Sequence, residues 1–214
     1  MIEVQFATLA VSGLLGIGYL RYVGDAPGTV RTVCKTLPIL LLAFYAAMAG
    51  GPALLVLALL LSALGDAFLA YEGDAPLLGG LSSFLLAHVA YIALFLSTAD
   101  PGLLTLEPWR WLAAVAVIAL GLGMALRLRR PVGNLVLPVM AYITVIVAMA
   151  VTALMLEDAT IFVGAIIFML SDTALALRIF VFSPDSRIAS MAAIFVWASY
   201  YTAQLVLTLA LIGF

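Results

Sequence analysis

The sequence predicts an all-α fold, a polytopic transmembrane helical bundle, on three observations. Apolar residues make up 66% of the 214 residues, and charged residues make up only 9%. A soluble domain carries roughly 25% charged residues, so a chain this apolar cannot cover a surface that faces water. Charges, prolines and glycines also divide the chain into apolar segments of about the 20 residues that a spanning helix needs. We therefore expect a single transmembrane domain over residues 1–214.

The apolar segments predict eight spans. The first begins without a basic stretch and continues at spanning length, so it is read as a span and not as a cleaved signal peptide. The second is short, and only Gly50-Gly51-Pro52 separates it from the third, which makes seven spans the alternative. The eight segments cover residues 3–22, 33–49, 52–71, 78–97, 108–126, 134–156, 159–180 and 188–212.

The basic residues lie almost entirely on one side of the predicted bundle. With eight spans, one side receives every Lys and Arg except Arg110. Basic residues are retained on the cytoplasmic side of a membrane. We therefore expect that side to be cytoplasmic and both termini to be outside, which in a bacterium means the inner membrane. The net charge of −2 provides no basic field for a nucleic-acid partner.

Two segments of the chain resemble each other. Residues 64–70 and 170–176 both read Leu-small-Asp-x-x-Leu-Ala, on the third and seventh spans. A Leu-Pro pair also begins the second span at Pro38 and the sixth at Pro138. The pattern predicts a 4+4 parallel internal repeat, with its axis along the membrane normal. Chance similarity between apolar helices is the alternative interpretation.

Asp66 and Asp172 are the strongest candidates for a functional site, because an ionisable group inside a span is expensive and marks function by default. Each lies six residues before a charged residue at the predicted cytoplasmic end of its span, Glu72 or Arg178. Six residues of helix measure roughly 9 Å. We therefore expect both carboxyl groups at a similar depth in the cytoplasmic half, in one shared site. The alternative is a structural pair between each aspartate and a basic residue.

Other polar side chains are expected to reach the same layer from different spans. His88 and Tyr91 share one face of the fourth span, and Tyr201 and Gln204 share one face of the eighth. Packing, snorkelling or helix capping would explain such residues equally well. Tyr200 is assigned to packing or to the membrane interface. The supporting set is Lys35, His88, Tyr91, Asn134, Tyr142, Tyr201 and Gln204.

Two carboxyl groups in an apolar pocket cannot both ionise easily, so the pair can hold one acid and one base. That arrangement suits acid-assisted cleavage of a C–O bond, and it equally suits a proton-coupled transporter of a small solute or lipid. A structural or sensory membrane module is a third interpretation. One histidine and one cysteine argue against a metal site, and no phosphate loop or hydrolase elbow is present. We expect metal-free chemistry without a cofactor.

The residues around the two aspartates resemble the pattern of a known family. Gly65-Asp66 is followed by residues 79–91, which read GGLSSFLLAHVAY and end on His88 and Tyr91. This combination is similar to the YhhN family of eight-span membrane proteins, which includes the lysoplasmalogenases. Further matches on the other spans are Lys35, Pro38, Pro138, Tyr142, Gly164, Ser171, Asp172 and residues 200–204.

The resemblance implies a hydrolase that cleaves the vinyl ether bond of a lysoplasmalogen, giving a fatty aldehyde and a glycerophosphocholine or glycerophosphoethanolamine. By position, it implies that Asp66 and Asp172 are the catalytic pair. One would protonate the vinyl carbon distal to the ether oxygen, and the other would stabilise the oxocarbenium ion and activate water. We take Asp172 as the acid, and Lys35 as the group that binds the phosphate. A lysophospholipid substrate and the bilayer are the expected partners. The groups expected to orient the carboxylates, the water or the glycerol oxygens are His88, Tyr91, Tyr142, Tyr201 and Gln204.

Overall fold

A computed structural model describes residues 2–213, and these residues form nine α-helices and no strand. This confirms the prediction of an all-α fold. A single 3-10 turn follows α1, and another precedes α7. The helices are α1 Ile2–Tyr19, α2 Thr29–Met48, α3 Ala53–Phe68, α4 Asp74–Leu96, α5 Leu103–Leu106, α6 Pro108–Leu128, α7 Val136–Ala153, α8 Ala159–Phe180 and α9 Arg187–Leu211.

Seven of the described helices are long and apolar enough to cross a membrane, and α3 and α5 are the two that are not. Helix α3 is strongly apolar but has 16 residues, which measure about 24 Å against a hydrocarbon layer of about 30 Å. The outside of the bundle is apolar as well: Leu14 is 70% exposed and Phe6 is 69% exposed. Such a surface requires lipid as its solvent. The protein is an integral membrane protein.

The helix boundaries correct three of the predicted spans. Helix α2 is not short: it has 20 residues and begins at Thr29. The apolar pattern placed its start too late, because the first turn of the helix is polar. Helix α4 begins at Asp74, earlier than predicted. Pro76 is tolerated in its first turn, because a backbone N–H at that position would have no acceptor within the helix. Helix α3 ends at Phe68, and the chain then turns through Gly73, whose φ of 111° favours glycine.

Helices α3 and α8 each pack against several neighbouring helices. Helix α3 contacts α2, α4 and α9, whereas α8 contacts α6, α7 and α9. The two halves of the chain meet where α4 packs on α7 and α2 packs on α9. Leu59, Phe168 and Leu207 are fully buried in the core that these helices share. The two candidate aspartates lie on these helices, Asp66 on α3 and Asp172 on α8.

Arg110 stabilises the end of the bundle where α6 begins and α7 ends. It is buried, and its guanidinium donates to the carbonyl oxygens of Leu154 and Leu156 at 3.0 and 2.6 Å. A helix leaves its last carbonyl groups without donors, and Arg110 supplies them. Hydrogen bonds from Arg110 and from Trp109 hold the pKa of Glu107, in the preceding loop, below its usual value. The one basic residue predicted on this side thus caps a neighbouring helix.

Candidate active site

A polar cavity of about 330 Å³ lies at the end of the bundle where α2, α4 and α9 begin. Asp66 of α3 and Asp172 of α8 both line it. The two carboxyl groups are far apart in sequence, but the packing of the bundle brings both to the wall of one cavity. The geometry of a shared site is therefore present.

Asp66 lies in the last turn of α3 and is 1% exposed. The ammonium Nζ of Lys35, from α2, is 3.2 Å from its Oδ1 atom. The phenol of Tyr200, from α9, donates a hydrogen bond of 2.7 Å to its Oδ2 atom. A buried carboxylate is tolerated only when it is paired and hydrogen-bonded. Lys35 and Tyr200 meet both requirements, so Asp66 is built to carry a negative charge.

The close approach of α3 and α4 fixes the position of Asp66. A Cβ atom on Gly65 would lie 2.6 Å from the ring of Phe84, and one on Gly80 would lie 2.6 Å from the side chain of Leu69. Glycine is therefore required at both positions for the helices to pack this closely. The hydroxyl of Ser83 also donates to the Leu61 carbonyl at 2.8 Å. The Gly-Asp and Gly-Gly motifs of the sequence are the packing elements of this helix pair.

Asp172 has a different environment. Its side chain is 13% exposed, and the phenol of Tyr142, from α7, donates to its Oδ2 atom at 2.5 Å. His88 Nε2, from α4, is 3.8 Å from the same oxygen, and the imidazole packs edge-on against the rings of Tyr142 and Phe168. No Lys or Arg nitrogen of residues 2–213 lies within 4.0 Å of this carboxyl group. Asp172 thus lacks the fixed positive charge that Asp66 has.

An apolar groove adjoins the polar cavity. It runs between α4, α6, α7 and α8, and Tyr142 and Thr173 are polar members of its wall. Asp172 lines both the groove and the cavity, and it is the ionisable carboxyl group common to them. Two different environments therefore meet at one carboxyl group. The apolar wall includes Leu81, Met124, Leu128, Val139, Ile143, Ile146, Met169, Ala176 and Phe180.

The structure does not bring Asn134 into this site. Asn134 is exposed in the 3-10 turn before α7 and lines neither cavity. The predicted sixth span began at this residue, but the helix begins two residues later, so its side chain stays outside the bundle. Its placement in the polar layer was wrong.

Tyr91, Tyr201 and Gln204 are buried, but they line neither the cavity nor the groove. The hydroxyl of Tyr91 donates to Gln204 Oε1 at 2.7 Å, which joins α4 to α9. Tyr201 hydrogen-bonds Ser12 of α1 at 2.9 Å. These three residues connect helices around the site instead of facing its interior.

Tyr200, which the sequence assigned to packing or to the membrane interface, is the tyrosine that contacts Asp66. Consecutive helical residues point about 100° apart, so Tyr200 and Tyr201 cannot face the same neighbour. Tyr200 meets Asp66, whereas Tyr201 faces α1. The sequence contained a clue to this role. Tyr200 and Gln204 are four residues apart, so Tyr200 shares with Gln204 the polar face of α9 that points into the bundle.

The fold and the site define a class: an integral membrane protein in which two carboxyl groups line one polar cavity and one of them, Asp172, also lines an apolar groove. The chain belongs to the YhhN family, whose sequence profile matches residues 30–211. No solved structure matches it.

Curated relatives cover most of the chain. The lysoplasmalogenase TMEM86B of Rattus norvegicus is 35% identical over 192 residues, which are 87% of this chain and 75% of that protein. The protein of the same name from Sus scrofa is 34% identical over 210 residues, 96% of this chain and 83% of that protein. A lysoplasmalogenase of Mycobacterium bovis is 34% identical over 159 residues, 72% of this chain and 58% of that protein.

The Lys35–Asp66 pair predicts a specific pattern of stabilities. Lys35→Met should lower the free energy of unfolding by about 3 kcal/mol, because it leaves a buried carboxylate without its cation. Adding Asp66→Asn to this variant should recover most of the loss, because the buried charge is then removed. Denaturant unfolding in detergent micelles measures both values.

The exposed pair between Arg21 and Asp25, 3.9 Å apart, is the matched control. Arg21→Met should change stability by less than about 0.5 kcal/mol. If the double variant were as unstable as Lys35→Met alone, the pair would not be the source of the loss.

Proposed function

We propose that this protein is a membrane hydrolase that cleaves the vinyl ether bond of lysoplasmalogens to a fatty aldehyde and a glycerophospho-alcohol. Membership of the YhhN family and the names of its curated relatives support this activity. The single observation that carries it is the position of Asp172, at the junction of the polar cavity and the apolar groove.

A lysoplasmalogen, like the site, has one apolar part and one polar part. Its single hydrocarbon chain fits the apolar groove, and its glycerophospho headgroup fits the polar cavity. The vinyl ether bond joins these two parts, so a substrate bound this way would present that bond to Asp172. An apolar groove with a few convergent polar groups is the usual form of a site for such a ligand.

We assign different roles to the two aspartates because their neighbours differ. Asp66 is the carboxylate, since Lys35 balances its charge. Asp172 is the acid, since a protonated carboxyl group needs no cation in an apolar setting. Tyr142 donates to Oδ2 of Asp172, which leaves Oδ1 to carry the proton. His88 packs against Tyr142 and is a positioning residue in this scheme.

The reaction balances with water as the only co-reactant. Asp172 transfers its proton to the vinyl carbon distal to the ether oxygen, and the adjacent carbon becomes an oxocarbenium ion. Asp66 stabilises this cation and takes a proton from the water that attacks it, which forms a hemiacetal. Asp66 then returns its proton to the ether oxygen as the C–O bond breaks, and Asp172 recovers its proton from the hemiacetal hydroxyl. Both residues end in their starting states.

We infer that α3 also crosses the membrane, which makes eight spans with both termini outside. The ends of α1, α3 and α8 and the starts of α2, α4 and α9 contribute to the same polar cavity, which supports an alternating direction for successive helices. Being short, α3 would end within the bilayer, and its polar end at Asp66 would lie in the cavity. Basic residues at this end of the bundle support a cytoplasmic site.

We also propose that the two halves of the chain are parallel repeats. In this scheme α2, α3 and α4 correspond to α7, α8 and α9. Each aspartate has one neighbour on the preceding helix of its own half, Lys35 of α2 for Asp66 and Tyr142 of α7 for Asp172. The second neighbour of each aspartate comes from the last helix of the other half, Tyr200 for Asp66 and His88 for Asp172. The packing of α4 on α7 and of α2 on α9 fits this exchange.

The aspartate roles are tested by aldehyde release from a purified lysoplasmalogen. Asp66→Asn and Asp172→Asn should each lower kcat by at least about 100-fold, because each removes a proton-transfer group. In D2O, the wild-type aldehyde should carry one deuterium on the carbon next to the carbonyl, since that carbon receives the proton from the acid. Mass spectrometry after rapid reduction of the aldehyde detects the label.

Asp185→Asn is the matched control, because this exposed residue lines neither cavity, and it should retain full activity. Aldehyde release that persists in both site variants would reject the aspartate chemistry. Folded wild-type protein that releases no aldehyde, yet exchanges a lipid across a vesicle membrane, would favour a transporter.

The apolar groove is tested by filling it. Ala176→Phe, on the groove wall, should raise KM for a long-chain substrate by about tenfold and affect a short-chain substrate less, because the added ring occupies space for the tail. Ala174→Phe, on the same helix but lining neither cavity, is the control. Equal loss for both chain lengths would argue against a tail site in this groove.

The topology is tested by thiol labelling of intact cells in a Cys34→Ser background. A cysteine at Ala47, near the end of α2, should react with a membrane-impermeant maleimide from outside. A cysteine at Ala75, at the start of α4, should react only after the membrane is permeabilised. Both residues are exposed, and in the chain Ala47 precedes α3 and Ala75 follows it. Labelling of both from the same side would mean that α3 does not cross.

A further inference from the structure

Arg31 and Arg178 line the polar cavity, and neither is in an ion pair within residues 2–213. Arg31 lies in the first turn of α2, and Arg178 lies in the last turn of α8. Within residues 2–213, no carboxylate oxygen lies within 4.0 Å of either guanidinium. The Nε atom of each is buried without an acceptor in the same part of the chain. The neighbours of the Arg31 guanidinium are neutral: the Ala70 carbonyl, at a long 3.4 Å, and the phenol of Tyr19 on the cavity wall.

Lys35 is not equivalent to these arginines. The sequence led us to expect that Lys35 binds the substrate phosphate, but its ammonium is engaged with Asp66 at 3.2 Å. Its charge is therefore already balanced. Glu72 and Asp74 also line the cavity, but they are exposed and lie beyond 4.0 Å of both guanidinium groups. The wall therefore presents two half-buried guanidinium groups that are in no ion pair among residues 2–213.

We propose that Arg31 and Arg178 bind the phosphodiester of the substrate and thereby select lysophospholipids over neutral glycerol ethers. This inference rests on the proposed hydrolase function. A guanidinium offers a planar set of donors that matches phosphate oxygens, and such charge-assisted bonds are strong. A bound phosphate would also supply acceptors for the buried Nε–H groups and neutralise the pair.

The spacing agrees with the position of the reactive bond. Arg178 and Asp172 lie on the same helix, six residues apart, which is roughly 9 Å along its axis. In the lipid, the glycerol carbons separate the phosphate from the vinyl ether by a comparable length. A phosphate held at the arginines would therefore leave the vinyl ether within the region of Asp172, and the tail directed to the groove.

The test compares two substrates with identical tails, an alkenyl glycerophosphoethanolamine and the corresponding alkenyl glycerol, which has no phosphate. Arg31→Gln and Arg178→Gln should each lower kcat/KM for the phosphate-bearing substrate by about tenfold, mainly through KM. Neither should change kcat/KM for the alkenyl glycerol by more than about twofold. Arg178→Lys should retain part of the preference, because it keeps the charge but loses the planar donors.

Arg130→Gln is the matched control, since it removes one exposed arginine at the end of α6 without touching the cavity. It should leave both substrates unaffected. An equal loss for both substrates in Arg31→Gln and Arg178→Gln would indicate a structural role and overturn the proposal. Unchanged preference in the double variant would overturn it as well.

A binding measurement separates this proposal from the hydrolase function. Glycerophosphoethanolamine should raise the thermal unfolding temperature of the wild-type protein in detergent, and should not raise that of the Arg31→Gln, Arg178→Gln double variant. This readout holds even if the wild type cleaves neither substrate, a result that would reject the hydrolase alone. No shift in the wild type would overturn the phosphate site. An equal shift with inorganic phosphate alone would assign the pair to free phosphate and overturn the lipid role.

Discussion

The ion pair between Lys35 and Asp66 is the interaction on which the site depends. Ionised groups are expensive to bury, and in a bundle surrounded by lipid each one must be balanced from a neighbouring helix. Lys35 on α2 and Tyr200 on α9 provide that balance for Asp66 on α3. Together these contacts link three helices through one carboxylate, and they keep in the cavity the carboxylate that is proposed to act as the base.

The contrast between the two aspartates gives the site its chemistry in our proposal. Two identical carboxyl groups would compete for one proton without a fixed outcome, whereas here only one has a cation beside it. Asp172 instead contacts a phenol and an imidazole and faces the apolar groove. The charge of Lys35 beside Asp66 would make Asp66 the base, and Asp172, without such a neighbour among residues 2–213, would be the acid before the substrate binds.

The surrounding lipid would then serve as the route of the substrate as well as the solvent of the protein. A single-chain lipid in the bilayer presents its tail at the depth of the groove and its phosphate near the interface. The guanidinium groups of Arg31 and Arg178, which form no ion pair within residues 2–213, lie in the cavity that would receive this headgroup. In this proposal the arginines face the phosphate, Asp172 faces the vinyl ether and the apolar groove holds the tail, so the protein matches the order of groups in the substrate.

The sequence by itself determined the helical class, the membrane setting and most helix positions, because apolar length is a property of the local chain. It also predicted that Asp66 and Asp172 would lie within helices, where a charged group is rare and costly. It misjudged the start of α2 and the end of α3, where polar first turns and a glycine turn decide the boundary. Only the tertiary structure decided which side chains meet. Helix rotation and crossing decide that Tyr200 and not Tyr201 faces Asp66. They also place Asn134 outside the site and pair Lys35 with Asp66. Rotation and crossing follow from packing between distant segments, such as Gly65 against Phe84, which no single segment encodes.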